Sequence, residues 1–159
     1  MTMAKRYYIA YGSNLNVPQM RMRCPGAKVL GTANLKGWEL LFKGSKTGSY
    51  LTIEKCNGGT VPVVIWEVTE SDEKALDRYE GFPSFYYKQD IRLKYRGVCT
   101  GRRRTVDAFA YIMHEERPIG VPSISYMRTC LAGYDTFYFN RNVLLSAYYK
   151  CREMCENEA

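Results

Sequence analysis

Histidine occurs once in these 159 residues, at His114, and among the six cysteines the one close pair is Cys151 and Cys155, at helical spacing. A zinc site needs several convergent ligands, so no metal is expected. No apolar run approaches the length of a membrane span, and the first ten residues lack the apolar core and small-residue cleavage site of an export signal. The expectation is a cytoplasmic protein with no membrane partner. In that compartment Cys24, Cys56, Cys99, Cys130, Cys151 and Cys155 are read as reduced thiols, since a chain of this size needs no disulfide staples. No linker-like stretch divides the chain, so residues 1–159 are read as one domain able to bury a core. Also missing are zinc-finger spacing, a ribonucleoprotein-type aromatic motif and a glycine-rich phosphate loop. The net charge of +7 and the run Arg102-Arg103-Arg104, near Lys94 and Arg96, therefore read as a solvated basic loop that discourages edge pairing. At most it makes non-specific polyanion contacts, and no specific nucleic-acid partner is expected.

What the chain does have is Tyr8-Ile9-Ala10-Tyr11-Gly12-Ser13-Asn14, an apolar strand that runs straight into a turn. Tyr7, Ile9 and Tyr11 share one face of an extended segment and Tyr8 and Ala10 the other, the pattern of a strand buried on both sides. Gly12 removes the Cβ at the strand's end. A ligand can then approach the main chain, and the N–H groups around Gly12, Ser13 and Asn14 can converge on an oxygen. An ordinary polar turn has the same composition, so the rest of the chain must decide.

Asn16 and Pro18 are suited to open a short helix ending near Arg23, which Cys24-Pro25-Gly26 stops. Extended runs follow at Ala27 to Leu35 and Trp38 to Phe42, with Gly37 read as the turn between them, and then a loop rich in Lys, Gly and Ser. Tyr50 to Glu54 and Val61 to Val68 flank Asn57-Gly58-Gly59, which reads as a hairpin turn. Pro62 belongs at a strand start or an edge. Thr69 and Asp72 resemble a capping box for a short helix whose inner face is Ala75, Leu76 and Tyr79. Gly81 suits a left-handed end to that helix. That leaves Glu80 in the last turn, pointing into whatever Phe82, Pro83, Phe85 and Tyr86 enclose. Two strands, Tyr86 to Tyr95 and Thr105 to Met113, meet through the basic loop. Two helices close the chain, from Ser123 to Leu131 with Gly133 as its stop, and from Asn140 to near Met154 with Leu144, Leu145 and Tyr148 inward. Seven strands without βαβ alternation point to an α+β fold: a small, mostly antiparallel mixed β-barrel flanked by α-helices.

Tyr8 to Leu15, Met20, Arg23-Cys24-Pro25, Val61 to Trp66, Leu76-Asp77-Arg78-Tyr79-Glu80-Gly81, Pro122-Ser123 and Tyr126 follow one another in an order that resembles the γ-glutamylcyclotransferase-like family, which includes γ-glutamylamine cyclotransferase. The likeness extends from about Tyr7 to Gly133. It implies a compact barrel with helices, a small γ-glutamyl substrate, and release of 5-oxoproline with no metal or cofactor. It implies further that Ala10, Tyr11, Gly12, Ser13 and Asn14 cradle the substrate, that Glu80 is the acid/base, and that Tyr111 and Tyr126 are pocket tyrosines. After Glu80 either Tyr86 or Tyr87 lines the cavity, because the two point to opposite faces of a strand. Val63 after Pro62, and Tyr134 to Phe139 after Gly133, depart from the family pattern and leave the released amine open.

The chemistry of the residues agrees with these roles. Closure of a γ-glutamyl amide to a lactam needs a folded substrate, loss of a proton from the α-ammonium and protonation of the leaving amine. A carboxyl desolvated by Phe82, Phe85 and Tyr86 has a raised pKa and can shuttle that proton near neutrality. A binding module of the same fold, without catalysis, is the alternative reading.

Overall fold

The computed structural model describes residues 5–45 and 48–157. Five strands close into a barrel in the spatial order β1-β3-β2-β4-β5, with β1 at Arg6–Ala10, β2 at Lys28–Ser45, β3 at Gly48–Val68, β4 at Tyr86–Gly97 and β5 at Arg103–Met113. All pairings are antiparallel except the closing contact of β1 with β5, a parallel register at Tyr8↔Phe109. The α+β mixed barrel expected from the sequence is the fold observed. Four helices flank it: α1 Val17–Arg23, α2 Glu70–Glu80, α3 Ile124–Thr136 and α4 Arg141–Asn157. No helix among the described residues is long and apolar enough to cross a membrane.

The strand count differs from expectation for a physical reason. β2 and β3 form one long ribbon, and the two glycine-marked sites within it are not turns. Gly37 (φ 87°) faces residues 56–59 in a bulge between the pairs Lys36↔Thr60 and Trp38↔Lys55. Gly58 does adopt positive φ (79°), but it serves the bulge, because ladder bonds continue on both sides. The true reversal falls between Ser45 and Gly48, inside the Lys- and Gly-rich stretch, whose tip at residues 46–47 lies outside the described residues. Pro62 sits within β3 opposite Asn34, yet β1 pairing stops at Ala10↔Val64, so Pro62 is locally on an edge, where its missing donor costs nothing.

Helix boundaries follow their capping chemistry. Asn16 accepts from the Gln19 N–H at 3.2 Å and opens α1. Thr69 and Asp72 form the full capping box of α2, and Gly81 ends it at φ 64°. The buried Asp72 carboxylate also accepts from the Gly26 N–H at 3.2 Å, which ties the end of α1 to the start of α2. Tyr79 is not on the inner face of α2, being 46% exposed, while Leu76 is fully buried there. Gly133 does not stop α3, which runs on to Thr136. A side chain at Gly133 would overlap Leu15, so that glycine exists for close packing of α3 against the turn after β1. The continuous core runs from Ile9, Val64 and Ile65 inside the barrel to Leu144 and Cys151 of α4.

Candidate active site

β1 delivers the chain from the barrel interior to Gly12, and a 3-10 turn at Ser13–Leu15 then points it toward α1. Asn14 holds this turn in place from three sides. Its Nδ2 donates to Tyr8 Oη at 2.9 Å, its Oδ1 accepts from Arg23 Nη1, and its carbonyl accepts from Trp66 Nε1 at 3.1 Å. The family-like segments at Tyr8, Arg23 and Trp66 therefore converge on one residue. Gly12 lies against Tyr126 and Leu51; a Cβ there would come 3.2 Å from the Tyr126 hydroxyl.

The turn forms one wall of a cavity of about 570 Å³, a size that suits a small metabolite. Glu80, at the end of α2, borders the same cavity. Of the residues singled out from the sequence, Tyr11, Gly12, Ser13, Asn14, Glu80, Tyr86, Tyr111 and Tyr126 border this cavity. Ala10 does not; it is fully buried behind the turn. The Tyr86–Tyr87 alternative resolves in favour of Tyr86, whereas Tyr87 points outward to Glu115.

The tyrosine hydroxyls fall into two groups by what they already bind. Tyr11 donates to the Tyr111 carbonyl at 2.5 Å, Tyr86 to the Leu51 carbonyl at 2.9 Å, and Tyr111 to Asp77 Oδ1 at 2.6 Å. These three rings shape the wall, and their protons are committed. Tyr126 accepts from the Leu51 N–H at 3.1 Å and has the Cys130 thiol beside its hydroxyl, whereas Tyr8 accepts from Asn14 and keeps its own proton to donate. Burial raises the pKa of Tyr8, Tyr11, Tyr86, Tyr111 and Tyr126, which keeps all five phenols neutral near pH 7.

Glu80 is the ionisable group that burial moves most consequentially. Loss of water around its carboxyl pushes the pKa up to about 7, and the nearby Arg23 guanidinium opposes the rise. No hydrogen bond or ion pair engages that carboxyl among the described residues, so its oxygens are available to a ligand. Phe85 and Tyr86 line the same cavity. Phe82 does not: it is 37% exposed and packs edge-on against Tyr111. The sequence reading also missed Tyr8, Tyr50, Tyr79, Arg78 and Arg117, all of which border the cavity. Tyr79 is placed by long-range contacts that no local sequence signal shows: Arg23 stacks 3.4 Å above its ring and Ser13 Oγ lies 3.1 Å from its hydroxyl. Arg117 carries no local signal.

The arrangement is a carboxyl of raised pKa, a polar turn and a wall of tyrosines around one small cavity. Residues 8–128 match the model of the family described as Gamma-glutamyl cyclotransferase, AIG2-like. The chain belongs to that family. Gamma-glutamylcyclotransferase of Homo sapiens is 32% identical over 135 residues, covering 79% of this chain and 68% of that protein. A solved structure titled Gamma-glutamyl cyclotransferase superposes with a TM-score of 0.70 at 26% identity, covering 94% of this chain and 87% of that one. YkqA from Bacillus subtilis shares the fold, with a TM-score of 0.74 at 19% identity over 93% of this chain and 54% of that one. The cyclotransferase match begins at Tyr8 and ends two residues after Tyr126, so it encloses the turn, Glu80 and all the cavity tyrosines. Most of α3 and the whole of α4 lie beyond it.

Proposed function

We propose that this cyclotransferase-family protein converts a γ-glutamyl compound to 5-oxoproline and a free amine, with Glu80 as the proton shuttle. The observation that carries the reading is that Glu80 and the Gly12-Ser13-Asn14 turn border the same cavity. Glu80 takes a proton from the substrate's α-ammonium. The freed amine attacks the substrate's own γ-carbonyl carbon, forming the lactam C–N bond. The Gly12–Ser13 N–H groups and a phenol donor of the wall stabilise the charge that develops on the carbonyl oxygen. Glu80 then returns its proton to the leaving nitrogen as the original amide bond breaks, and the second proton of the attacking nitrogen passes through the same carboxylate to the released amine, which departs as an ammonium ion and leaves a neutral lactam and a regenerated carboxylate. A pKa of about 7 suits both halves, because the group exchanges protons readily in either direction at neutral pH. Holding the substrate in its folded pose contributes several kcal/mol more through orientation.

The test is a panel of γ-glutamyl amino acids, γ-glutamyl amines and γ-glutamyl-capped metabolites incubated with the protein, with 5-oxoproline as the readout. Release from at least one, abolished in Glu80→Gln, is expected. A panel that binds without release would leave a ligand-binding module in place of an enzyme.

A further inference from the structure

Two arginines border the cavity, and the shuttle mechanism uses neither. Arg78 lies in the last turn of α2 and is exposed; Arg117 is half-buried in the loop between β5 and α3. Neither pairs with a carboxylate among the described residues. For Arg117 this is notable, since Glu115 and Glu116 are its immediate neighbours. Glu115 is turned away to accept from the Tyr87 hydroxyl.

The Arg117 loop is held with unusual care. The Gly44 N–H donates to the Pro118 carbonyl at 3.0 Å, and the Gly120 N–H to the Phe42 carbonyl at 3.1 Å, so the loop is stitched to β2 on both sides of residue 119. Lys43, only 8% exposed, is paired with Glu54 and donates to the Glu115 carbonyl at 3.0 Å. The Arg117 guanidinium itself rests 4.5 Å above the Phe85 ring. A cation fixed by this scaffold, backed by an aromatic face and left without a counter-charge, is preorganised for an anion.

Exposure indicates which part of a substrate it meets. Tyr8, Tyr11, Tyr86, Tyr111 and Tyr126 form the buried wall, while Tyr50 and Tyr79, at 43% and 46% exposed, mark the rim with the arginines. The reacting glutamyl part belongs beside Glu80 and the turn, so the atoms beyond the scissile nitrogen extend toward the rim.

We propose that Arg117, seconded by Arg78, determines specificity for the leaving amine by accepting a carboxylate carried close to the scissile nitrogen. This rests on the cyclotransferase reading of the cavity. Amines that are cationic at that place are repelled by the same groups.

Three compounds test it: γ-glutamyl-alanine, its alaninamide counterpart, and the mono-γ-glutamyl derivative of 1,4-diaminobutane. The glutamyl carboxylate is common to all three and cancels in every ratio. A charge-assisted contact at a half-buried site predicts about a tenfold preference in kcat/KM for acid over amide. In Arg117→Gln that ratio should shrink to about twofold or less, Arg117→Lys should retain part of it, and Arg117→Glu should move preference toward the diamine derivative. Affinities of the same compounds for the Glu80→Gln variant, by calorimetry, read the discrimination without turnover. Equal treatment of acid and amide by the wild type overturns the inference while leaving the cyclotransferase reading intact. So does an Arg117→Gln effect that falls equally on all three. Absence of 5-oxoproline overturns the cyclotransferase reading, and the affinities still decide the role of Arg117. A panel that neither reacts nor binds overturns both.

Discussion

At the scale of single residues, the decisive group is a carboxyl held in a tyrosine-lined cavity with no protein partner among the described residues. Glu80→Gln keeps size and one acceptor oxygen, so turnover should fall by a factor of about 10² to 10⁴ while ligand binding survives. The same variant should change how stability depends on pH. The folded-state pKa of Glu80, about 7, lies above the ordinary glutamate value, so between roughly pH 4.5 and 7 the folded protein holds a proton that the unfolded chain has lost. The wild type therefore loses stability across that window as pH rises, and the loss is complete above it. Melting scans should show Glu80→Gln more stable than wild type at pH 8, by roughly 7 to 14 °C, and equal to it near pH 4. Arg23 works in the opposite direction on the same carboxyl, because its positive charge favours the ionised form. In Arg23→Gln the rising limb of kcat/KM should move to higher pH, and a profile that keeps its position would remove Arg23 from the electrostatics of the site.

Secondary-structure elements show where sequence reasoning succeeds and where it stops. Caps were legible because one or two side chains determine them: Asn16, Thr69 with Asp72, and Gly81 all act where their chemistry placed them. Gly37, Asn57-Gly58-Gly59 and Gly133 were misread for a common reason. A glycine signals an unusual backbone or a close approach, and only long-range partners decide which. Gly133 makes the point testable. Its replacement by Ala would press on Leu15, at the end of the turn that carries Ser13 and Asn14. Overpacking of this kind costs about 1 to 3 kcal/mol, and here the strain would reach the cavity. Gly133→Ala should thus lower both the melting temperature and kcat/KM, although it lies outside the cavity itself. The placement of Glu80 and the turn on one cavity was readable from local pattern plus family likeness. Arg117 was not, because its position depends on Lys43 and Gly44 of a strand more than 70 residues earlier.

For the molecule as a whole, the way the barrel closes carries a consequence of its own. The β2–β3 ribbon and the β4–β5 hairpin are each paired over most of their length, yet they join through Gly31↔Gly97 and Thr32↔Arg96 on one side and through Tyr8↔Phe109 on the other. Two long ribbons meeting at two narrow seams should not open together. Local opening follows the weakest pairing, so amide hydrogen exchange ought to resolve two cooperative units, with the seam amides exchanging well before those in the middle of either ribbon. The cavity draws its walls from both units, Gly12 and Leu51 from one and Tyr86 and Tyr111 from the other. A bound γ-glutamyl ligand would act as a rivet between them. Its signature would be slowed exchange along both seams, at amides that never touch it, and unchanged protection in the ribbon interiors.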